Sequence, residues 1–184
     1  MENKPTANTN NKNQFAGNRS AAGFGNRPRR PFNGRKPLAE KPEFDQKIIN
    51  VRRVARVVAG GRRFSFSVAL VAGDKNGRVG VGIGKAGDTS LAMAKAFNKA
   101  KKAMIKIPLT KTKSIPHEVK AKFKSAQVEL RPAQGRGLVA GSALRVVLTL
   151  AGAHDINAKV LSRSKDKLNI ARATIIALTS LKSK

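Results

Sequence analysis

The chain has 184 residues, in which 38 Lys and Arg stand against 10 Asp and Glu, so its formal net charge is +28. Repulsion among so many positive charges opposes a compact fold, so the excess of charge indicates a polyanionic partner. The apolar share of 40 % is nevertheless enough for a core. The absence of Cys and the wide separation of His117 and His154 disfavour thiol chemistry, a metal site and a His-centred catalytic site.

Residues 1–44 differ in composition from the rest of the chain. They are rich in Asn, Gly, Pro and basic residues, and their nine Lys and Arg against three Glu give a net charge of +6. Their apolar residues are isolated, so we predict a disordered basic extension, either an RNA-binding arm or a dispensable one. No apolar signal core opens the chain and no run of about 18 apolar residues follows, so we expect a cytosolic nucleic-acid-binding protein that neither crosses a membrane nor needs a cofactor.

Three strands are predicted after the extension. The first covers residues 48–58, and Gly60 and Gly61 then supply the conformational freedom that a tight hairpin needs. The second covers residues 64–70, where Phe64, Phe66, Val68 and Leu70 alternate with small residues. The two Phe either belong to the core, which the period favours, or stack on bases. A turn at 73–77 leads to the third strand, residues 78–83.

Glycines interrupt the third predicted strand and run on to the start of a helix. Gly80, Gly82 and Gly84 have no side chains to pack, which indicates close approach by another backbone. The segment from Gly82 to Gly87 matches the G-x-G-x-x-G fingerprint of dinucleotide-binding folds, but no acid follows in residues 89–117 to hold a ribose. The strands are also hairpin-linked, and Ala86 stands where a P-loop needs Ser or Thr. Only Glu118 and Glu129 are placed to pair across a hairpin, so we predict no catalytic site.

The helix after the glycines carries an uncompensated row of lysines. Asp88, Thr89 or Ser90 is expected to cap it, and Pro108 to end it. One predicted stripe is buried: Met93, Phe97, Ala100, Met104 and Ile107. The opposite face carries the row: Lys95, Lys99, Lys102 and Lys106. No Asp or Glu lies between Asp88 and Glu118 to pair with these lysines, which favours RNA contact over a merely soluble face.

The remaining residues predict a second α+β unit. Residues 117–123 and 126–130 are expected to form a hairpin, and residues 134–137 a flexible loop. A helix over 142–150, a strand over 156–161 and a last helix over 170–181, capped by Asn169, complete the unit.

Residues 64–86, with the pattern F-S-F-x-x-x-L-V-x-G-D-x-x-G-x-V-G-x-G-x-G-K-A, resemble the S-five family of bacterial small-subunit ribosomal proteins. The segments 115–119, 130–133, 141–145 and 169–174 agree with the family as well, so the resemblance covers about residues 44–181. Ala59 replaces a common Lys, Ala121 and Lys124 replace Gly in the second hairpin, and the loop at 162–167 is longer.

This resemblance implies an α+β fold in which a double-stranded-RNA-binding-like domain, residues 45–112, precedes a C-terminal α+β domain, residues 113–184. It implies a structural part in the cytoplasmic small ribosomal subunit, beside its RNA and its fourth and eighth proteins and near the messenger entry side. Roles in assembly, head-body connection and decoding accuracy follow from it, and the first hairpin would approach the spectinomycin site. A free RNA chaperone, or more remotely a membrane-surface protein, is the alternative that the residues leave open.

The expected RNA contacts are mostly phosphate contacts, with base stacking a minor contribution. The RNA-binding candidates are Arg52, Arg53, Arg56, Gly60, Gly61, Arg62, Arg63, Lys75, Asn76, Arg78, Gly82, Gly84, Lys85, Lys95, Lys99, Lys102 and Lys106. For a protein interface near the fourth protein, the resemblance gives Gly137, Gly141 and Arg145, of which Arg145 either meets a carboxylate or only snorkels along the helix surface.

Overall fold

The structure is a computed structural model that describes residues 43–110 and 112–182. The predicted disordered extension lies outside this range except for its last two residues, of which Phe44 is buried. In the first half, β1 (Asp45–Val58), β2 (Gly61–Gly73) and β3 (Arg78–Ala86) are followed by α1 (Thr89–Lys102) and the short β4 (Ile105–Lys106). These strands form one antiparallel sheet in the order β1-β2-β3-β4.

The second half contains a second sheet and two helices. Its elements are β5 (Val119–Phe123), β6 (Ala126–Pro132), β7 (Leu138–Ala140), α2 (Ser142–Ala151), β8 (Ile156–Val160) and α3 (Lys167–Thr179). The strand order is β5-β6-β8-β7, and only the β7–β8 pair is parallel, because α2 carries the chain across from one to the other. The predicted α+β class is therefore confirmed.

Several predicted boundaries were wrong. Helix α1 ends at Lys102 with Ala103 at its C-cap, so Pro108 does not end it, and Lys106 and Ile107 lie outside it. Helix α3 begins at Lys167 with Asp166 at its N-cap rather than Asn169.

The buried face of α1 is made of alanines, and of the predicted stripe only Ala100 and Ile107 are buried, the latter beyond the end of the helix. Ala92, Ala96 and Ala100 are completely buried, whereas Met93, Phe97 and Met104 are only half-buried. The reason is the glycine run of β3. A Cβ placed on Gly82 would lie 2.0 Å from the carbonyl oxygen of Ala96, so the helix rests directly on the strand backbone. The predicted close approach of another backbone is thus confirmed, and that backbone is α1 itself.

The two halves of the fold share one core. Val71 and Val79 of the first sheet belong to the same buried cluster as Leu144 and Leu148 of α2, while α1 covers the opposite face of that sheet. The amide of Lys75 donates to the carbonyl of Leu150 at 2.9 Å, which fixes the β2–β3 turn against the end of α2. This two-sided cover explains why β2 is buried without interruption from Val68 to Gly73. The division at residues 112 and 113 stays a prediction.

Candidate RNA-binding surface

The β1–β2 hairpin brings the five predicted arginines together on its two faces. The register pairs Arg56 with Arg63 and Val57 with Arg62, and side chains alternate between faces along each strand. Arg52, Arg56 and Arg63 therefore share one face, and Arg53 and Arg62 lie on the other. All five are exposed. The arginines thus surround the outer half of the hairpin.

The hairpin tip is open. Gly60 and Gly61 are exposed, and a Cβ on either would meet no atom within 4 Å in the described part of the chain. Gly61 has a φ of +129°, a conformation that side-chain-bearing residues rarely adopt. The tip is therefore shaped by the turn and leaves its backbone accessible to a partner.

Phe64 is not part of the core, contrary to the preferred interpretation of the alternation. It is 49 % exposed, and Phe66 is half-buried. Alternation assigns a side chain to a face, but α1 covers this face at the inner half of β2, from Val68 to Ala72, so the outer half of the hairpin extends beyond the core. The guanidinium carbon of Arg53 lies 3.8 Å from the centroid of the Phe64 ring, a cation–π pair.

Three of the candidate cations are paired with carboxylates of the fold. Arg52 contacts Asp166 at 3.0 Å. Lys75 contacts Asp45 at 2.5 Å, and Arg78 contacts Asp74 at 2.9 Å. Within the described residues, no ion pair is found for the rest of the set: Arg53, Arg56, Arg62, Arg63, Lys85, Lys95, Lys99, Lys102 and Lys106. These nine side chains carry charge that the described part of the fold does not neutralise.

Asp74 organises the turn that carries Lys75 and Asn76. Its carboxylate accepts hydrogen bonds from the backbone amides of Asn76 at 2.7 Å and Arg78 at 2.9 Å, and from the Arg78 guanidinium. Partial burial alone would raise the pKa of Asp74, but these donors outweigh it and lower the pKa below its usual range. Arg78 is therefore engaged locally, whereas the Asn76 side chain is exposed.

The lysine row is shorter on the helix than predicted. Lys95, Lys99 and Lys102 are exposed on α1, while Lys106 is exposed on β4, where it pairs with Arg78 across the sheet. Lys95 and Lys99 line an open groove of about 640 Å³, together with Lys85 of β3.

Arg172 of α3 also lines this groove, and the sequence analysis missed it as a candidate. It lies within the 169–174 segment quoted for the resemblance, which was the available signal. Gly82 and Gly84 line the groove as well, but both are buried beneath α1. Their observed role is close packing against the helix, and their assignment as RNA contacts stays a prediction; the antiparallel β3 is incompatible with a dinucleotide fold.

The three candidates for a protein interface lie in different structural environments. Gly137 has a φ of +66°, and its amide donates to the Asp155 carboxylate at 3.0 Å, so its local role is to shape the loop before β7. Gly141 is the N-cap of α2, with open space where a Cβ would stand. Arg145 is exposed on the same helix, among buried neighbours such as Leu144 and Leu148.

Glu118 and Glu129 meet at the β5–β6 hairpin as expected, through shared cations. Arg131 contacts Glu118 at 3.3 Å and Glu129 at 2.7 Å, and Lys120 contacts Glu129 at 3.1 Å. Hydrogen bonds from Lys120 and Arg131 lower the pKa of Glu129 from 4.5 to about 2. A carboxylate held ionised in this way is a structural ion-pair partner and a poor general acid.

The described residues contain no group of three or more His, Cys, Asp or Glu that could hold a metal ion. In the same part of the chain, no helix is long and apolar enough to cross a membrane.

The fold and its surface define a strongly basic α+β protein in which, among the described residues, unpaired arginines surround one hairpin and unpaired lysines line one helix and the groove beside it. Models of the ribosomal protein S5 family match both halves, the N-terminal domain at residues 44–108 and the C-terminal domain at residues 121–184. The chain therefore belongs to the ribosomal protein S5 family, which consists of structural proteins of the small ribosomal subunit and not of enzymes.

Curated relatives carry the matching name, small ribosomal subunit protein uS5. The protein of Treponema pallidum is 49 % identical over 149 residues, which cover 80 % of this chain and 85 % of the relative. The protein of Mesomycoplasma hyopneumoniae is 40 % identical over 162 residues, covering 84 % and 74 % respectively. The uS5c protein of Emiliania huxleyi is 46 % identical over 142 residues, covering 77 % and 89 %. The family resemblance found in the sequence is thus confirmed, and it places the chain in the ribosome.

Proposed function

We propose that this chain binds small-subunit ribosomal RNA chiefly through phosphate contacts and helps to fix the head of the subunit to its body. The observation that carries the proposal is the arginine hairpin: five exposed arginines, of which only Arg52 has a carboxylate partner among the described residues. Arg and Lys side chains without a carboxylate partner on a protruding element are available to phosphates. Each such contact favours binding, because it releases counterions from the RNA.

The lysines of α1 and the groove beside them form the second part of the proposed surface. Lys85, Lys95, Lys99 and Arg172 converge there without an acidic residue in the lining. RNA that contacts both this groove and the hairpin is held at two separate places. Phosphate contacts alone position without specifying sequence, so we attribute specificity to the fixed shape of the RNA and its protein neighbours.

Protein neighbours complete the proposal. The open N-terminus of α2 at Gly141 and the exposed Arg145 offer a surface for the fourth small-subunit protein, and the eighth is expected nearby. Through these contacts the chain would support subunit assembly, messenger entry and translational accuracy.

The test compares two triple variants of the full chain that remove equal charge. Replacing Lys95, Lys99 and Lys102 by Ala keeps the helix, because Ala is the best helix former, and removes three proposed phosphate contacts. We expect the slope of log affinity against log salt for small-subunit RNA to flatten by roughly one unit per lost contact.

The matched control replaces three exposed lysines outside the proposed surface, Lys122, Lys165 and Lys182. Its slope is expected to stay close to wild type. Equal slopes for the two triple variants would show that only the total charge of the protein affects binding, and that the lysines of α1 face solvent.

A further inference from the structure

The outer β1–β2 hairpin exposes apolar side chains on one face only. Ile48 is 45 % exposed, Val51 48 %, Phe64 49 % and Val57 77 %. The register places all four on the face that α1 covers farther along the sheet, together with Arg53. This face therefore combines apolar surface with free positive charge, and the described part of the fold leaves it uncovered.

The Arg53–Phe64 pair lies near the middle of this face. Arg53 sits over one side of the ring, at 3.8 Å from its centroid, while about half of Phe64 stays exposed. The residue opposite Phe64 on β1 is Ala55, whose methyl group is too small to cover a ring. A planar partner can therefore reach the exposed part of the pair, and both an aromatic ring and a guanidinium offer flat stacking surfaces.

The charge of the hairpin identifies that partner. No Asp or Glu occurs from Gln46 to Gly73, and Arg62 lies on the same face as Phe64. An apolar protein segment would leave these arginines desolvated without a counter-charge, which is costly. A nucleotide supplies both a flat base for the ring and a phosphate for the arginine.

We propose that Phe64, backed by Arg53, stacks on an unpaired base of the bound RNA. This inference deepens the proposed function and rests on it, because it adds recognition of a single-stranded feature to phosphate binding. It also gives the hairpin a preference that charge alone does not have, since a base in a paired helix cannot present its face to a side chain.

The experiment uses the full chain and two RNA hairpins of equal phosphate number. One contains a single bulged 2-aminopurine, a fluorescent adenine analogue, and the other is fully paired. We expect wild type to bind the bulged RNA at least about fivefold more tightly, the lower end of base–aromatic stacking, and to quench the fluorophore. The salt slope should be the same for both RNAs, because their phosphate contacts are the same.

Substitutions then assign the preference to the ring. Phe64→Leu keeps an apolar side chain and removes the stacking surface, so both the preference and the quenching should disappear while the salt slope is unchanged. Phe64→Tyr should retain both. Val139→Ala removes an exposed apolar side chain of β7, outside the hairpin, and should have no effect. Circular dichroism and thermal unfolding show that each variant is folded.

The results separate this inference from the proposed function. A steep salt slope with equal affinity for the two RNAs would overturn base stacking and leave phosphate binding intact. Retained preference in Phe64→Leu, or an equal loss in Val139→Ala, would also overturn it. Failure of wild type to bind small-subunit RNA with a salt-dependent affinity, measured in parallel, would remove the proposed function itself.

Discussion

Replacement of Gly82 by Ala tests the packing on which the surface depends. The new Cβ would lie 2.0 Å from the Ala96 carbonyl oxygen and 2.6 Å from the Ala100 amide nitrogen, whereas ordinary contact begins at 3.4 Å. Both atoms belong to the helix backbone and cannot rotate away, so α1 must move outward by roughly 1.4 Å, the difference between contact and clash.

Overpacking of this kind typically costs 1–3 kcal/mol, and the displaced helix also loses contacts around its buried alanines. We expect Gly82→Ala to lower the free energy of unfolding by about 3 kcal/mol and the thermal midpoint by about 6–12 °C in a chain of this length. Chemical denaturation of the full chain, followed by circular dichroism, measures the first quantity and a thermal scan the second.

Gly87→Ala is the matched control, because a Cβ at that position meets no described atom within 4 Å. Its stability should lie within about 1 kcal/mol of wild type. Equal stabilities for Gly82→Ala and Gly87→Ala would refute the conclusion that α1 packs directly on the backbone of β3. The glycine run would then again be a candidate ligand-binding loop.

Three further predictions concern the second half and the hairpin tip. Since the pKa of Glu129 is lowered to about 2, its ionised form contributes stability that is full above about pH 4.5 and is lost as pH falls through about 2. Glu129→Gln should remove this part of the acid dependence in urea midpoints, and an acid dependence equal to wild type would contradict the assignment. Arg145→Glu should raise misreading in a stop-codon reporter, and wild-type accuracy would remove the proposed protein contact. Deletion of Ala59–Gly61 should leave a folded protein but alter the chemical footprint of the subunit head or its spectinomycin response; an unchanged footprint and response would mean that the tip points away from RNA.

Much of the fold could be predicted from the sequence, because a long strand or helix repeats its pattern of apolar and polar residues several times. The alternation in residues 64–70 and the turn glycines at 60 and 61 predicted the first hairpin, although β2 runs from Gly61 to Gly73. The two-residue β4 and the three-residue β7 are too short to show a period, so they were missed.

The buried face of α1 shows where hydrophobic pattern fails. A search for large apolar residues selected Met93 and Phe97, but the glycines of β3 allow so close an approach that only alanines fit between strand and helix. The predictive signal was the pairing of two small-residue stripes, Gly80, Gly82 and Gly84 against Ala92, Ala96 and Ala100. Neither stripe is informative alone.

The sequence predicted which basic residues form the candidate surface better than it predicted how they are arranged in space. Clustering of basic residues identified the hairpin and the lysine row, but not which charges the fold neutralises, since Arg52 and Asp166 are 114 positions apart. The exposure of Phe64 could not be predicted either, because alternation assigns a side chain to one face of the sheet but does not show how much of that face the core covers. Arg172 reaches the groove from a helix that only tertiary structure places there.

We infer that this chain is an integral RNA-bound component of the small subunit and not a free RNA-binding protein. Sedimentation of the tagged full chain from a cell lysate, before and after a high-salt wash of the ribosomal fraction, tests it most directly. We predict that the chain co-sediments with small subunits and remains there after the wash, because many phosphate contacts and protein neighbours hold it together. A chain found at the top of the gradient, or released by salt from otherwise intact subunits, would contradict the account.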